Sequence, residues 1–263
     1  MARILQTGQT AVPCCYEKRE FHARYVTATP LIADTESIYK KVFSDIAQRH
    51  GKVYTAETRG KVIGTTEDVG ARIAVEEMQL PMSPEDFLKE YKAAADKSLH
   101  TVGLMPGRHL HLCHNSRYFE IYVVTLAGAE RLVRHFHTKQ IPIAVATSSG
   151  QDTYDIKVEH HKSLFSLFSH VVTGGTDPEV KSGKPSPDIF LVCARRFKDS
   201  PKPEQCLVLE DAPNGVQSAV KAGMQVVMVP DKQIEEKATK LATLKLNSLE
   251  EFRPEMFGLP PLE

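Results

Sequence analysis

The chain has no surplus of either charge: 33 Lys and Arg stand against 33 Asp and Glu. Without a net field, a broad electrostatic footprint for nucleic acid or an anionic membrane is excluded, and any anionic ligand has to be held by a local site. Long apolar runs are also missing. None reaches the roughly 20 residues that a bilayer-spanning helix needs, and the opening MARILQTGQTAVPCCYEKRE has too short an apolar stretch for a secretory signal. That opening weakly resembles a transit peptide in its Arg and Thr content and late first acid, but the expected compartment is the cytosol. Paired cysteines are lacking too. Cys14, Cys15, Cys113, Cys193 and Cys206 are odd in number, with no C-x-x-C pair and no zinc spacing to a histidine, so reduced thiols are expected.

What is present is a regular alternation. From Ile141 onward short β-branched runs, IPIAVA (141–146), HVVTG (170–174), CLVLE (206–210), QVVMV (225–229) and the weaker ATLKL (242–246), are separated by stretches with apolar residues at helical spacing. DIFLVCARRF (188–197) and NGVQSAVKAG (214–223) are the clearest of these, the second ending at Gly223. Strands alternating with helices predict a doubly wound α/β fold around a parallel sheet. Residues 35–101 differ: SIYKKVFSDIAQRH, EDVGARIAVEEM and EDFLKEYKAAADKSL read as helices without strands, and Ser83-Pro84 is a helix start. Residues 108–128 fit neither pattern and are read as an irregular insertion; their His109, His111 and His114 lack a partnering acid or helical spacing, which argues against a metal site.

In a doubly wound sheet, ligands bind beyond the carboxyl ends of the strands. Thr147 and Ser148 follow the first of the runs above, where hydroxyls and backbone amides can hold a phosphate oxygen. Lys184 lies in a Pro-rich turn before a helix and can offer a positive charge to the same anion. Glu210 and Asp211 end CLVLE, where adjacent carboxylates can hold a divalent ion directly or through water. Each has a plain structural reading as a helix cap or solvated side chain. Their occurrence in this order at successive strand ends favours a site.

These residues, with LPMS, LMPG, ATSSG, LFSH, GKPSPDIFL, EDAPNGV, AGMQVVMVPD, LNSLEEF and FGLP, resemble the haloacid dehalogenase superfamily of phosphohydrolases over about residues 31–107 and 129–263. The resemblance implies an α/β core (25–34 and 102–263), a helical cap (35–101) inserted after the first strand and a divergent leader (1–24). It also implies that Thr147 binds the transferring phosphoryl group with Ser148 beside it. Lys184 would neutralise nucleophile and phosphate, and Asp211 would bind Mg²⁺, with Glu210 on the ion or one group removed from it. The implied partner is a small phosphorylated metabolite, a nucleoside monophosphate such as pseudouridine 5'-phosphate, rather than nucleic acid or membrane.

One part of the pattern fails. The family places its nucleophile and acid/base in Asp-x-Asp-Gly at the end of the first strand, and counting back from Asp34-Thr35-Glu36 puts Thr27, Thr29 and Pro30 on those positions. A threonine hydroxyl needs a base before it can attack phosphorus, and Thr29 is neither base nor acid. Loss of a carboxylate also weakens Mg²⁺ binding, and Pro30 stiffens a turn where glycine was free. The run EFHARYV, with Arg24, predicts a degraded central strand. Two outcomes follow: a phosphomonoesterase with impaired chemistry, or a catalytically silent isoform that binds a phosphorylated ligand or a partner.

Overall fold

The computed structural model describes residue 23, residues 25–28, 36–99, 128–231 and 234–263, with the backbone alone at 25–28, 36–38, 96–99 and 160. Thr29 and Pro30, Arg24 and the rest of the leader apart from Ala23, and the histidines of the 108–128 segment lie outside these residues, so the expectations placed on them do too. Six parallel strands form one sheet: β1 (Tyr25–Ala28), β2 (Ile143–Thr147), β3 (His170–Thr173), β4 (Cys206–Glu210), β5 (Gln225–Met228) and β6 (Leu244–Lys245), in the order β3-β2-β1-β4-β5-β6. The order reverses direction at β1, which therefore sits at the topological switch point where such sheets open a crevice.

Strand periodicity builds a core on each face. Val145, Leu207, Leu209 and Val227 point to one side, where they meet Leu132, Phe136 and Phe252. Ala144, Ala146, Val208, Val226 and Met228 point to the other, against Ile189, Phe190, Cys193, Val216 and Ala219. Both faces are covered, which is why β2 and β4 are buried along their whole length and read as continuous apolar runs.

The central strand is formed, contrary to the expectation of a broken one. Thr27 pairs with Ala144 of β2 on one side and Val208 of β4 on the other. Sheet ladders are made by backbone groups, so four extended residues suffice even where the neighbouring sequence is charged. Ala23, 4% exposed, anchors the approach by donating its N–H to the Phe257 carbonyl at 2.9 Å.

Four helices, α1 (Glu36–Arg49), α2 (Ala56–Val62), α3 (Glu67–Met78) and α4 (Pro84–Leu99), follow β1 and pack on one another around Phe43, Ile46, Ala74, Met78, Phe87 and Tyr91. Phe43 meets Phe87 and Tyr91 edge-on at 5.0 and 5.4 Å between ring centres. Ser83 caps α4 by accepting from the Asp86 N–H at 3.0 Å. α2 escaped the sequence reading; it starts at Thr55, whose hydroxyl accepts from Thr58 N–H at 3.1 Å.

The helices of the core follow as α5 (Ala129–Thr138), α6 (Gln151–Val158), α7 (Lys162–Phe165), α8 (Asp188–Arg195) and α9 (Pro213–Lys221), and the helical cap is seated on the carboxyl ends of the strands. Asn214 donates from its side-chain amide to the carbonyls of Lys61 (3.2 Å) and Ile63 (2.8 Å), and Thr153 donates to Glu67 at 3.0 Å. Gly64 lies between them with φ +80°, and a Cβ there would stand 2.7 Å from that of Ala212. Cap and core meet at this point with backbone-to-side-chain clearance that only glycine provides.

Candidate active site

A cleft of about 120 Å³ opens between the strand ends and the cap. Its floor is Thr147, Ser148, Ser149, Lys184, Glu210 and Asp211, so the structure brings together all five described side chains singled out by the sequence. Its cap-side wall is aromatic: Tyr39, Phe43, Tyr54 and Tyr91.

The floor is organised by an ion pair. Lys184 leads into α8 (Asp188–Arg195) from the preceding turn, and its Nζ donates to Glu210 Oε1 at 2.6 Å with both side chains almost fully buried (3% and 1% exposed). The same ammonium reaches the Ala146 carbonyl at 3.5 Å and lies 5.0 Å over the Phe190 ring. Glu210 Oε2 accepts from the backbone N–H groups of Asp211 (2.7 Å) and Ala212 (3.0 Å). Burial works against ionisation of Glu210, but Lys184 and the two N–H groups prevail and hold its carboxyl below the ordinary range.

Glu210 can lie where it does because α9 (Pro213–Lys221) presents Gly215 to it: a Cβ at Gly215 would fall 1.5 Å from Glu210 Oε1. The glycine of EDAPNGV is thus the seat of a carboxylate rather than a turn residue. With one oxygen on Lys184 and the other on two amides, Glu210 fixes the lysine and the start of α9. Three of the roughly four lone-pair sites of its carboxylate are thus taken by the protein, whereas Asp211, half-buried beside it, lines the cleft as the other carboxylate of the pair.

Thr147 ends β2, is 1% exposed, and accepts from the Ser149 N–H at 3.2 Å. Ser148 donates its hydroxyl to the Gly64 carbonyl at 2.9 Å, so it ties core to cap. Its hydroxyl proton is therefore committed away from a phosphate. Thr27 lies one residue from the end of β1, in register between Ala144 and Val208, and so at the switch point. Two contributors were missed by sequence reading. Lys157, in α6 (Gln151–Val158), is buried in the cleft and donates to Ser149 Oγ at 2.9 Å; Asn214 holds the cap. The polar pattern of QDTYDIKV gave no hint that its lysine turns inward.

The metal that the resemblance implies is Mg²⁺. Mg²⁺ takes hard oxygen ligands, keeps several waters, and is commonly held by one or two carboxylates plus substrate phosphate. Asp211 on the floor of the cleft supplies the single carboxylate of that minimum, and among the described residues no cluster of three His, Cys, Asp or Glu offers a richer site.

The fold and cleft define a class: a doubly wound α/β protein with a helical cap over a crevice at the switch point that is floored by charged side chains. The haloacid dehalogenase-like hydrolase profile matches residues 20–223. A Drosophila melanogaster protein described as a probable pseudouridine-5'-phosphatase is 44% identical over 230 residues, spanning 88% of this chain and 90% of its own. The Arabidopsis thaliana (DL)-glycerol-3-phosphatase 2 is 42% identical over 236 residues, 89% of each chain. Among solved structures, CbbY from Rhodobacter sphaeroides in complex with phosphate superposes with TM-score 0.65 at 18% identity, covering 88% of this chain and 96% of its own. The chain belongs to the haloacid dehalogenase-like hydrolase family.

Proposed function

We propose that the chain is a phosphomonoesterase of the haloacid dehalogenase type that binds its phosphorylated ligand competently and turns it over slowly. The observation that carries this reading is the Lys184–Glu210 pair, buried at 2.6 Å at the strand ends. Two amides and Gly215 support it, an arrangement with no purpose in a simple core, where a buried ion pair gains little stability over apolar packing. In this reading Thr147 donates to a phosphoryl oxygen, Lys184 donates a further ammonium N–H to it while staying paired with Glu210, and Asp211 holds Mg²⁺. The ion would add charge stabilisation at the phosphoryl oxygens, the main need of phosphoryl transfer.

The expected ligand is a small phosphomonoester. Pseudouridine 5'-phosphate comes first, because the D. melanogaster relative carries that description and the four-ring wall of the cleft suits a planar base. Glycerol 3-phosphate, from the A. thaliana relative's name, is the comparison substrate. The impairment comes from Thr27 and Thr29. An aspartate attacks as an anion already formed, whereas a threonine must lose a proton, and general acid–base assistance alone is worth roughly 10²–10⁴ in rate.

The silent reading is favoured by one observation, that the β1 position in register with the functional strands carries a threonine. Phosphate release and ligand binding measured together on purified protein with Mg²⁺ separate the two. Slow release abolished by Lys184→Met supports the esterase; binding with no release supports the silent protein. No binding of either phosphomonoester or of inorganic phosphate defeats both.

A further inference from the structure

We propose that Lys157 is a second anion-binding cation of the cleft, placing its ammonium on an oxygen of the bound phosphate while Ser149 and Tyr39 hold it in position. This rests on the phosphomonoester reading of the same cleft.

The argument begins from charge. Lys184 has a resident counter-ion in Glu210, so that pair adds no net charge. Lys157 is buried to a similar degree, 7% exposed against 4% for Lys184, yet it makes no ion pair with any described residue. Its contacts are the Ser149 hydroxyl at 2.9 Å and the face of the Tyr39 ring, 4.9 Å from the centroid. A hydroxyl and an aromatic face soften the loss of water around an ammonium but do not cancel its charge. An ammonium has three protons to place. Ser149 takes one, and the side chain lines the cleft shared with Thr147 and Lys184.

A buried cation with no counter-charge among the described residues costs stability. The cost is recovered when an anion enters, which makes Lys157 a group that discriminates the loaded from the empty cleft. Its neighbours fit this role. Ser149 is two residues past Thr147 and is tied to it through N–H to Oγ1 at 3.2 Å, so the hydroxyl that orients Lys157 belongs to the same turn as the proposed phosphate ligand. Tyr39 comes from the cap, so the lysine also senses whether the cap is seated.

A purely structural lysine, pinning Tyr39 to Ser149, would behave differently, and thermal melts of the full chain with Mg²⁺, with and without inorganic phosphate, tell them apart. For the anion-binding role, Lys157→Met melts at or above the wild-type temperature without phosphate, binds phosphate roughly 10- to 100-fold more weakly, and Lys157→Arg restores most of the affinity. Ser149→Ala gives a smaller loss. The proposal is overturned if Lys157→Met binds phosphate like wild type, or if it fails to fold or melts lower with its phosphate-induced rise intact. If the wild type itself gains nothing from phosphate or from either phosphomonoester, the reading of the cleft falls and this inference with it, an outcome distinct from a wild-type rise that the variant shares.

Discussion

β1 and β4 are neighbours in register, Thr27 opposite Val208 and Ala28 opposite Leu209, yet their ends have opposite chemistry. β4 runs on into Glu210 and Asp211, with a lysine, two amides and a glycine built around the first carboxylate. β1 carries a hydroxyl residue, Thr27, where the resemblance leads one to expect an acid. Both strands make the same backbone ladder, because hydrogen bonding between strands is indifferent to the side chain at the strand end. The fold therefore does not depend on which side chain stands at a strand end, and membership of a family does not by itself certify activity.

The largest effect is expected from equalising the two strand ends. Replacing Thr27 and Thr29 by Asp and Pro30 by Gly should raise phosphate release from pseudouridine 5'-phosphate by at least about 10²-fold, read in a steady-state assay with Mg²⁺. Adding a chelator should return the rate to that of the starting protein. If the restored chain is no faster, the β4 arm is not the catalytic half it resembles.

Breaking the β4 arm comes next. Lys184→Met leaves Glu210 buried without its cation, and removing one partner of a buried pair typically costs about 3–5 kcal/mol. Denaturant unfolding should show that loss, and phosphate binding should fall with it. The double change Lys184→Met with Glu210→Gln should recover much of the stability but none of the binding, which separates the pair's structural role from its role toward an anion.

Gly215→Ala tests how closely the arm is built. The added Cβ would fall 1.5 Å from Glu210 Oε1, so the carboxylate must leave its seat and drag Lys184 with it. Overpacking of this kind costs about 1–3 kcal/mol. A chain that keeps both stability and phosphate affinity would show that Glu210 has another place to go.

The same contrast explains what was legible from the sequence. β4 and α3 emerge with the bounds read from the pattern, 206–210 and 67–78, because a doubly buried strand and an amphipathic helix each write their period into side chains. β1 does not: EFHARYV reads as broken, yet the strand forms with backbone pairing to both neighbours. Thr147, Lys184, Glu210 and Asp211 were visible since strand ends in this topology collect ligands. What Glu210 does there was not. Whether a carboxylate faces an ion or a lysine depends on which side chain arrives from another element, 26 residues away in this case. Lys157 was hidden for a like reason, since its partners Ser149 and Tyr39 lie in a loop and in the cap.

The smallest effect concerns a group remote from the cleft and serves as its control. His170 begins β3; its Nε2 is 2.9 Å from the Cys193 carbonyl, and its ring meets Phe197 edge-on at 4.7 Å. Burial disfavours the imidazolium, the Cys193 carbonyl favours it, and the nearby Arg196 guanidinium opposes it again, so the group titrates below its ordinary 6.5. A depressed pKa in the folded chain means that the unfolded chain binds the extra proton first. The contribution is fully present above 6.5 and is lost as pH falls through the lower folded value. Unfolding at about pH 8 and about pH 5.5 should therefore show stability falling toward acid, and His170→Asn should flatten part of that slope. Phosphate binding at about pH 8 should be the same in both chains, because nothing in the β4 arm rests on this ring; a variant that lost binding too would mean the two ends of the sheet are coupled through its core.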